Sequence, residues 1–227
     1  MNDQSAKDAI FASLKNGKPQ EVPLPDVPEY EWAGDPLENF IAKLIGFDGK
    51  AVKFQKREEA IAWLQKLPEA DTGKVKIYSS AQGIEGNISD KDLSELRNAH
   101  LIQTCITEGI MGVGETGSIW VTNESLKHAA CALLSKQLFI LLDKNRIVSG
   151  LHEAYAKIKL NDQQYGSFFS GPSATADIEA VHITGAQGPL SLTAVIYNSE
   201  DAPVPPELII SPNADSSTWL TEEEKPD

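Results

Sequence analysis

Two short stretches concentrate the residue types that can bind a ligand or move a proton. The first is Gly114-Glu115-Thr116-Gly117-Ser118, which places one carboxylate and two hydroxyls among glycines. Glycine permits positive φ angles and lets another group approach the backbone closely. Loops at strand ends carry both surface residues and functional acids. Glu115 is therefore either a surface loop residue or a functional acid.

The second stretch follows an apolar run that predicts the end of a buried strand at residues 165–169. Gly171-Pro172 predicts a sharp break after that strand. Ser173 or Thr175 is then expected to cap a short helix by accepting a backbone hydrogen bond. The free N–H groups at such a helix start bind anions. This stretch therefore predicts an anion site beside two hydroxyls.

Two carboxylates, Asp177 and Glu179, follow those hydroxyls. They either receive a proton from a substrate or complement the positive end of the predicted helix. Together with Glu115 they are the candidate catalytic acids. The candidate ligand-binding residues are the surrounding glycines and hydroxyls, namely Gly114, Thr116, Gly117, Gly171, Ser173, Thr175 and Gly188.

The first stretch also matches the spacing of a dinucleotide-binding motif, with glycines at 112, 114 and 117. That motif requires a helix directly after it, because the helix N-terminus meets the pyrophosphate. Here Ile119-Trp120-Val121-Thr122 follows and predicts a strand. We therefore do not interpret the glycines as a dinucleotide site.

Hydrophobic periodicity predicts strands that alternate with helices along residues 35–200. Helices are predicted at 36–45, 57–67, 90–96 and 126–135, and from an N-cap at Ser149 to 158. Strands are predicted at 51–54, 75–78, 100–107, 119–122, 137–142, 181–184 and 192–197. This alternation indicates an α/β fold, a three-layer sandwich with a mainly parallel sheet.

The chain divides into three regions by composition. Residues 1–34 predict a helix at 5–15 and an extended proline-rich arm, which wraps the core or a neighbouring subunit in a homo-oligomer. Residues 35–200 form the α/β domain. Residues 201–227 form an acidic, proline-containing tail without clear periodicity.

Charge and cysteine content exclude several classes of protein. With 20 basic and 33 acidic residues, the formal charge of −13 disfavours nucleic acid and anionic membranes as partners. Cys105 and Cys131 form no metal-binding spacing, so no metal or cofactor is expected on this chain alone. They are expected to be buried free thiols in a reducing compartment. No membrane span or signal peptide is apparent, which predicts a cytoplasmic protein.

The two motifs, followed by Gly185-x-x-Gly188-Pro189, resemble the lactate-utilisation protein C family, the LUD domain, over roughly residues 36–198. The resemblance implies a fold like that of the glucosamine-phosphate deaminase, ribose-phosphate isomerase and CoA-transferase group. It also implies an accessory role beside two iron–sulfur proteins that oxidise L-lactate to pyruvate. In that system the partners hold the clusters, and this chain binds a small anionic ligand at a cleft of Glu115 and Ser173–Glu179.

Three positions depart from the family pattern. Ala174 and Leu190 stand where the family has arginine, and Gln187 stands where it has histidine. Arginine is the natural partner of a carboxylate, and one charged hydrogen bond contributes about 1.5–3 kcal/mol. The anion site is therefore expected to be weakened. Two alternatives stay open, namely a degenerate structural or regulatory module, and a CoA-transferase-like enzyme with Glu115 as nucleophile or base.

Overall fold

The computed structural model describes residues 3–17, 22–23, 25, 32–67, 75–93, 96–160, 165–176 and 182–199. The chain separates into two compact units, Met1–Glu31 and Trp32–Asp227. The first unit contains helix α1, Asp3–Asn16, which confirms the helix predicted at 5–15. Most of the predicted arm and the whole tail at 201–227 lie outside the described residues.

The second unit contains five α-helices and eleven strands among its described residues. The helices are α2 Pro36–Gly46, α3 Arg57–Leu64, α4 Asn123–Leu126, α5 Ala129–Leu134 and α6 Leu151–Lys157. The strands are β1 Lys50–Lys53, β2 Ile77–Ser79, β3 Thr104–Glu108, β4 Met111–Val113, β5 Ser118–Thr122, β6 Gln137–Asp143, β7 Ile147–Val148, β8 Gly166–Phe169, β9 Ala174–Ala176, β10 His182–Thr184 and β11 Ser191–Tyr197. Short 3₁₀ turns occupy Leu96–Leu101 and Lys144–Arg146.

The centre of this unit is a five-stranded sheet in the order β1-β11-β6-β3-β2. Every neighbouring pair in it is parallel. Strands β6 and β11 are almost wholly buried, as expected for a parallel sheet covered on both faces. The predicted mixed α/β fold with a mainly parallel central sheet is therefore confirmed.

Helix α3 covers one face of the central sheet. Its buried residues Ala60 and Leu64 pack against one apolar side chain from each of four strands, namely Ile77, Ile106, Leu141 and Val195. Successive strand side chains point to opposite faces, so the residues between them face the other way. That second face packs against α2 through Phe40 and Leu44 and against α5 through Cys131 and Ala132.

A four-stranded sheet in the order β7-β4-β5-β8 forms a further layer. In β5, Ile119 and Val121 join the core of the central sheet, whereas Trp120 points to the opposite side. There Trp120 packs with Ala154 and Ile158 at α6. The strands β4 and β7 were not predicted, because two or three residues are too short to show a periodicity.

Three element predictions were wrong in detail. The helix predicted at 126–135 is two helices, because Lys127 adopts a φ of +52° and interrupts it. Residues 91–93 form turns instead of the helix predicted at 90–96, and a 3₁₀ turn begins at Leu96. That turn extends to Leu101, so strand β3 begins at Thr104 and not at residue 100.

Candidate functional site

The first motif forms the turn between β4 and β5 and lies against α2. The Gly117 N–H donates to the Val113 carbonyl over 2.9 Å, and Gly117 has a φ of +61°. A Cβ atom on Gly117 would overlap the backbone nitrogen of Leu44 in α2. Glycine is therefore required here for packing. Strand β5 follows the turn directly, as predicted, and no helix begins there.

Glu115 in this turn is half-buried and hydrogen-bonded to the start of α6. Its Oε2 atom accepts from the Leu151 N–H over 2.8 Å, and its own N–H donates to the Ser149 carbonyl over 2.9 Å. The first N–H groups of a helix have no partner within the helix, and the positive helix end favours a carboxylate. Glu115 therefore caps α6. The N-cap position itself is Gly150, which corrects the prediction of Ser149.

Hydroxyl groups connect the first motif to the start of the second. The Oγ1 atom of Thr116 and the Oγ atom of Ser118 lie 2.5 Å apart. The Ser170 hydroxyl donates to the Thr116 carbonyl over 3.0 Å. The next residue, Gly171, has a φ of +79°, and a Cβ atom there would overlap the Phe47 carbonyl oxygen just after α2. The two motifs thus meet beside the C-terminal end of α2.

Among the described residues after Gly171-Pro172, no helix begins at Ser173 or Thr175, where its start was predicted. Thr175 lies instead in strand β9, which pairs antiparallel with β10, so that Thr175 is opposite Ile183. The Ser173 N–H donates to the Pro189 carbonyl over 2.8 Å, and the Ser173 backbone carbonyl accepts from the Gly185 N–H over 2.7 Å. These long-range hydrogen bonds satisfy the backbone that a helix would otherwise have paired. Neither Ser173 nor Thr175 therefore acts as the predicted helix cap.

The remaining predicted residues divide between two places. Gly188 lies beside Ser173, since a Cβ atom on Gly188 would be 2.8 Å from the Ser173 Cβ. Ser173, Thr175 and Gly188 are thus grouped around the β9–β10 hairpin, and Gly114, Glu115, Thr116, Gly117 and Gly171 are grouped beside α2 and α6. Asp177 and Glu179 lie outside the described residues.

A shallow cleft of about 300 Å³ lies next to the first motif. Its lining residues come from the start of α2 and from the segment after β6, namely Asp35, Pro36, Leu37, Lys144, Asn145 and Ile147. A Cβ atom on Gly114 would be 3.0 Å from the Pro36 carbonyl oxygen, so the loop adjoins this cleft. The exposed Lys144 gives it one cation, and Asp35 gives it one carboxylate, which accepts from the Leu37 N–H over 2.8 Å. The cleft is at the lower end of the size range of small-molecule sites.

A second polar cluster, not predicted from the sequence, lies at the carboxyl edge of the central sheet. The Arg57 Nη2 atom donates to Glu108 Oε1 over 2.5 Å and to the Gln82 carbonyl over 2.9 Å. The Arg57 guanidinium carbon lies 6.0 Å from the centre of the Tyr197 ring. A polar residue at the end of each apolar strand was the one sequence pattern that could have indicated this cluster. The sequence did not show that these strands are neighbours.

Burial and charge shift the pKa values in this cluster. Burial alone lowers the pKa of Arg57, but the Glu108 carboxylate and Tyr197 outweigh that effect and leave the pKa above its ordinary value. Burial, followed by the charge of Glu108, raises the pKa of Tyr197, although Arg57 opposes this shift. At neutral pH the guanidinium is charged and the phenol is protonated.

The two cysteines are buried free thiols, as expected. Burial raises the pKa of Cys105 far above its usual range, with a further contribution from Cys131. Burial and the Asp90 carboxylate raise the pKa of Cys131 to about 11. A thiol must ionise to act as a nucleophile or metal ligand. Neither thiol is therefore poised for chemistry at neutral pH.

Among the residues that the structure describes, no three histidine, cysteine or acidic side chains converge in a way that could hold a metal ion. No described helix has the length and apolar character needed to cross a bilayer.

The chain matches the LUD domain family over residues 37–197, and it belongs to that family. It is 28% identical over 120 residues to Lactate utilization protein C 1 of Bacillus mycoides (strain KBAB4). That match covers 50% of this chain and only half the length of the relative. A duf162 family protein of known crystal structure from Deinococcus radiodurans shares the fold, with a TM-score of 0.52 and 13% identity. That similarity covers 72% of this chain and 96% of the other.

Proposed function

We propose that this chain is an accessory subunit of a system that oxidises L-lactate to pyruvate in the cytoplasm, beside iron–sulfur proteins. The observation that carries the proposal is the LUD domain match over residues 37–197, which includes both motifs and the loop at 185–189. The relative named for lactate utilization supports the same pathway. The clusters are assigned to the partners, because the two cysteines of this chain are buried and far from ionising.

The hydrogen bonding of Glu115 favours an accessory role over catalysis by this carboxylate. One of its oxygens is committed to the Leu151 N–H, where a nucleophile or base would need to reach a substrate. The CoA-transferase-like alternative, which depends on Glu115, is therefore less well supported. The other alternative is a degenerate structural or regulatory module. It is favoured by Ala174, Gln187 and Leu190, which replace the charged and polar side chains of the family pattern.

We also propose that the chain binds a small anionic ligand beside the first motif. The cleft next to Gly114 supports this, because Lys144 supplies a cation to its lining. The predicted homo-oligomer through the N-terminal region is retained as a proposal. It is supported by the apolar side chains of α1, since Ile10, Phe11 and Leu14 are all more than half exposed.

Affinity purification tests the accessory role directly. A tagged copy of the chain is recovered from cells of the source organism grown on L-lactate. The proposal predicts cysteine-rich partners with the visible absorbance of iron–sulfur clusters, in amounts comparable to the bait. Cells grown without L-lactate provide the control. Recovery of the bait alone, without any cysteine-rich protein, would refute the accessory role.

A further inference from the structure

We propose that Arg57, Glu108 and Tyr197 form a binding site for a small carboxylate at the carboxyl edge of the central sheet. The site lies on the face that α3 covers and is distinct from the turn at 114–117. It rests on the proposed function only in the choice of L-lactate as the first probe.

On the face that α3 covers, a polar residue follows the last buried apolar residue of four strands. Ile77, Ile106, Leu141 and Val195 all pack under α3. Two residues further on, each strand places a polar side chain on that same face, because side chains alternate. These four residues are Ser79, Glu108, Asp143 and Tyr197. In open α/β sheets, ligands bind outside the carboxyl ends of the strands.

The geometry of Arg57 supports binding more than stability. Its guanidinium is fixed by Glu108 from β3 and by the Gln82 carbonyl after β2, and it lies beside Tyr197 from β11. The Arg57 and Glu108 side chains nevertheless stay 27% and 36% exposed, so a small molecule can reach them. Partly exposed ion pairs contribute little to folding. A charged group held in place from several strands is instead what recognition of a ligand requires.

The chemistry of the three side chains defines the ligand class. The Nη2 atom of Arg57 is already bonded to Glu108 and to the Gln82 carbonyl, so its Nη1 and Nε groups are the donors that can form charged hydrogen bonds with a ligand carboxylate. The protonated Tyr197 phenol can donate a further hydrogen bond to a ligand oxygen. The carboxylates of Glu108 and Asp143 at this edge both oppose an anionic ligand, and Glu108 also competes with it for Arg57. Arg57 should therefore strengthen binding and Glu108 should weaken it, which a purely structural ion pair would not produce.

Isothermal titration with L-lactate, acetate and inorganic phosphate tests the site on the full chain. Arg57→Lys keeps the charge but removes the Nη1 and Nε donors, and is expected to weaken L-lactate binding about tenfold or more. Glu108→Gln is expected to tighten it about two- to fivefold. Tyr197→Phe, which changes no charge, is expected to weaken it about threefold. Lys157→Gln and Glu153→Gln remove an ion pair on α6 and should leave the affinity unchanged.

Three results would overturn the site. They are the absence of binding of both L-lactate and acetate, binding that Arg57→Lys and Tyr197→Phe leave unchanged, and an affinity that does not rise in Glu108→Gln. Phosphate binding as tight as that of L-lactate would overturn the carboxylate assignment. Circular dichroism confirms that each variant is folded. Recovery of cysteine-rich partners by Arg57→Lys separates failure of this site from failure of the accessory role.

Discussion

The carboxylate of Glu115 accepts a hydrogen bond from the Leu151 N–H over 2.8 Å, so the acid of the first motif caps helix α6. This contact joins the turn between β4 and β5 to the helix that covers the outer face of the same sheet. Glu115 thus has a role in holding the fold together, and that role can be tested separately from catalysis.

The stability lost on replacing Glu115 should depend on whether the new side chain keeps an acceptor oxygen for the Leu151 N–H. Glu115→Ala is expected to reduce the free energy of unfolding by about 1–2 kcal/mol, because the Leu151 N–H loses its cap. Glu115→Gln keeps an acceptor oxygen and should lose less than half of that. Urea unfolding measures both values. Equal and negligible losses in the two variants would contradict the capping role.

Gly117 should not tolerate a side chain. Gly117→Ala is expected to lower the free energy of unfolding by about 2 kcal/mol or more, because φ is positive and the methyl group would overlap Leu44. Gly46→Ala is the matched control, since a Cβ atom at Gly46 would meet nothing within 4 Å. Thermal unfolding compares the two. A similar melting temperature for both variants would show that the turn does not pack against α2 as described.

Glu153 should make the stability of α6 depend on pH. Burial raises its pKa, but Lys157 and the Ser149 N–H lower it more, so the folded pKa lies below the ordinary value. Its contribution is therefore complete above the ordinary glutamate pKa of about 4.3 and is lost as the pH falls through the folded value. Because the side chain is 45% exposed, Glu153→Gln should cost only about 0.5 kcal/mol at pH 7. Unfolding at pH 7 and at about pH 3 should show that difference disappear in acid. A stability difference between wild type and Glu153→Gln that is as large or larger in acid would contradict the lowered pKa of Glu153.

The thiols should resist modification in the folded protein. With a pKa of about 11, only about one Cys131 thiol in a thousand is ionised at pH 8, and Cys105 ionises even less. Iodoacetamide at pH 8 should therefore label neither cysteine in native buffer and both in urea. Mass spectrometry gives the count of labels. Rapid labelling of the native protein would show a reactive thiol.

The long buried strands and amphipathic helices were predictable because each carries a local pattern. Strand β6, for example, contains the continuous apolar run Leu138 to Leu142. The error at Ser173–Thr175 arose because hydroxyls after Gly-Pro also suit a helix start. Pairing of Thr175 with Ile183 decided the outcome, and that pairing depends on a segment beyond the motif.

In the candidate site, too, the local sequence pattern was predictable and the contacts between distant residues were not. The turn at Gly114–Gly117 was visible as a glycine-rich loop, but its contacts with α2 and α6 were not. Arg57 and Glu108 are 51 residues apart in the sequence, and Tyr197 is much further along. The strand order of the central sheet and the packing of α3 on it bring these three residues together.

Growth on L-lactate tests the central claim most directly. The gene is deleted in the source organism, and growth is measured with L-lactate or glucose as the sole carbon source. A role in L-lactate oxidation predicts that the deletion strain fails on L-lactate, grows normally on glucose, and recovers when the wild-type chain is restored. Undiminished growth of the deletion strain on L-lactate, in a genome without a second copy, would contradict the account.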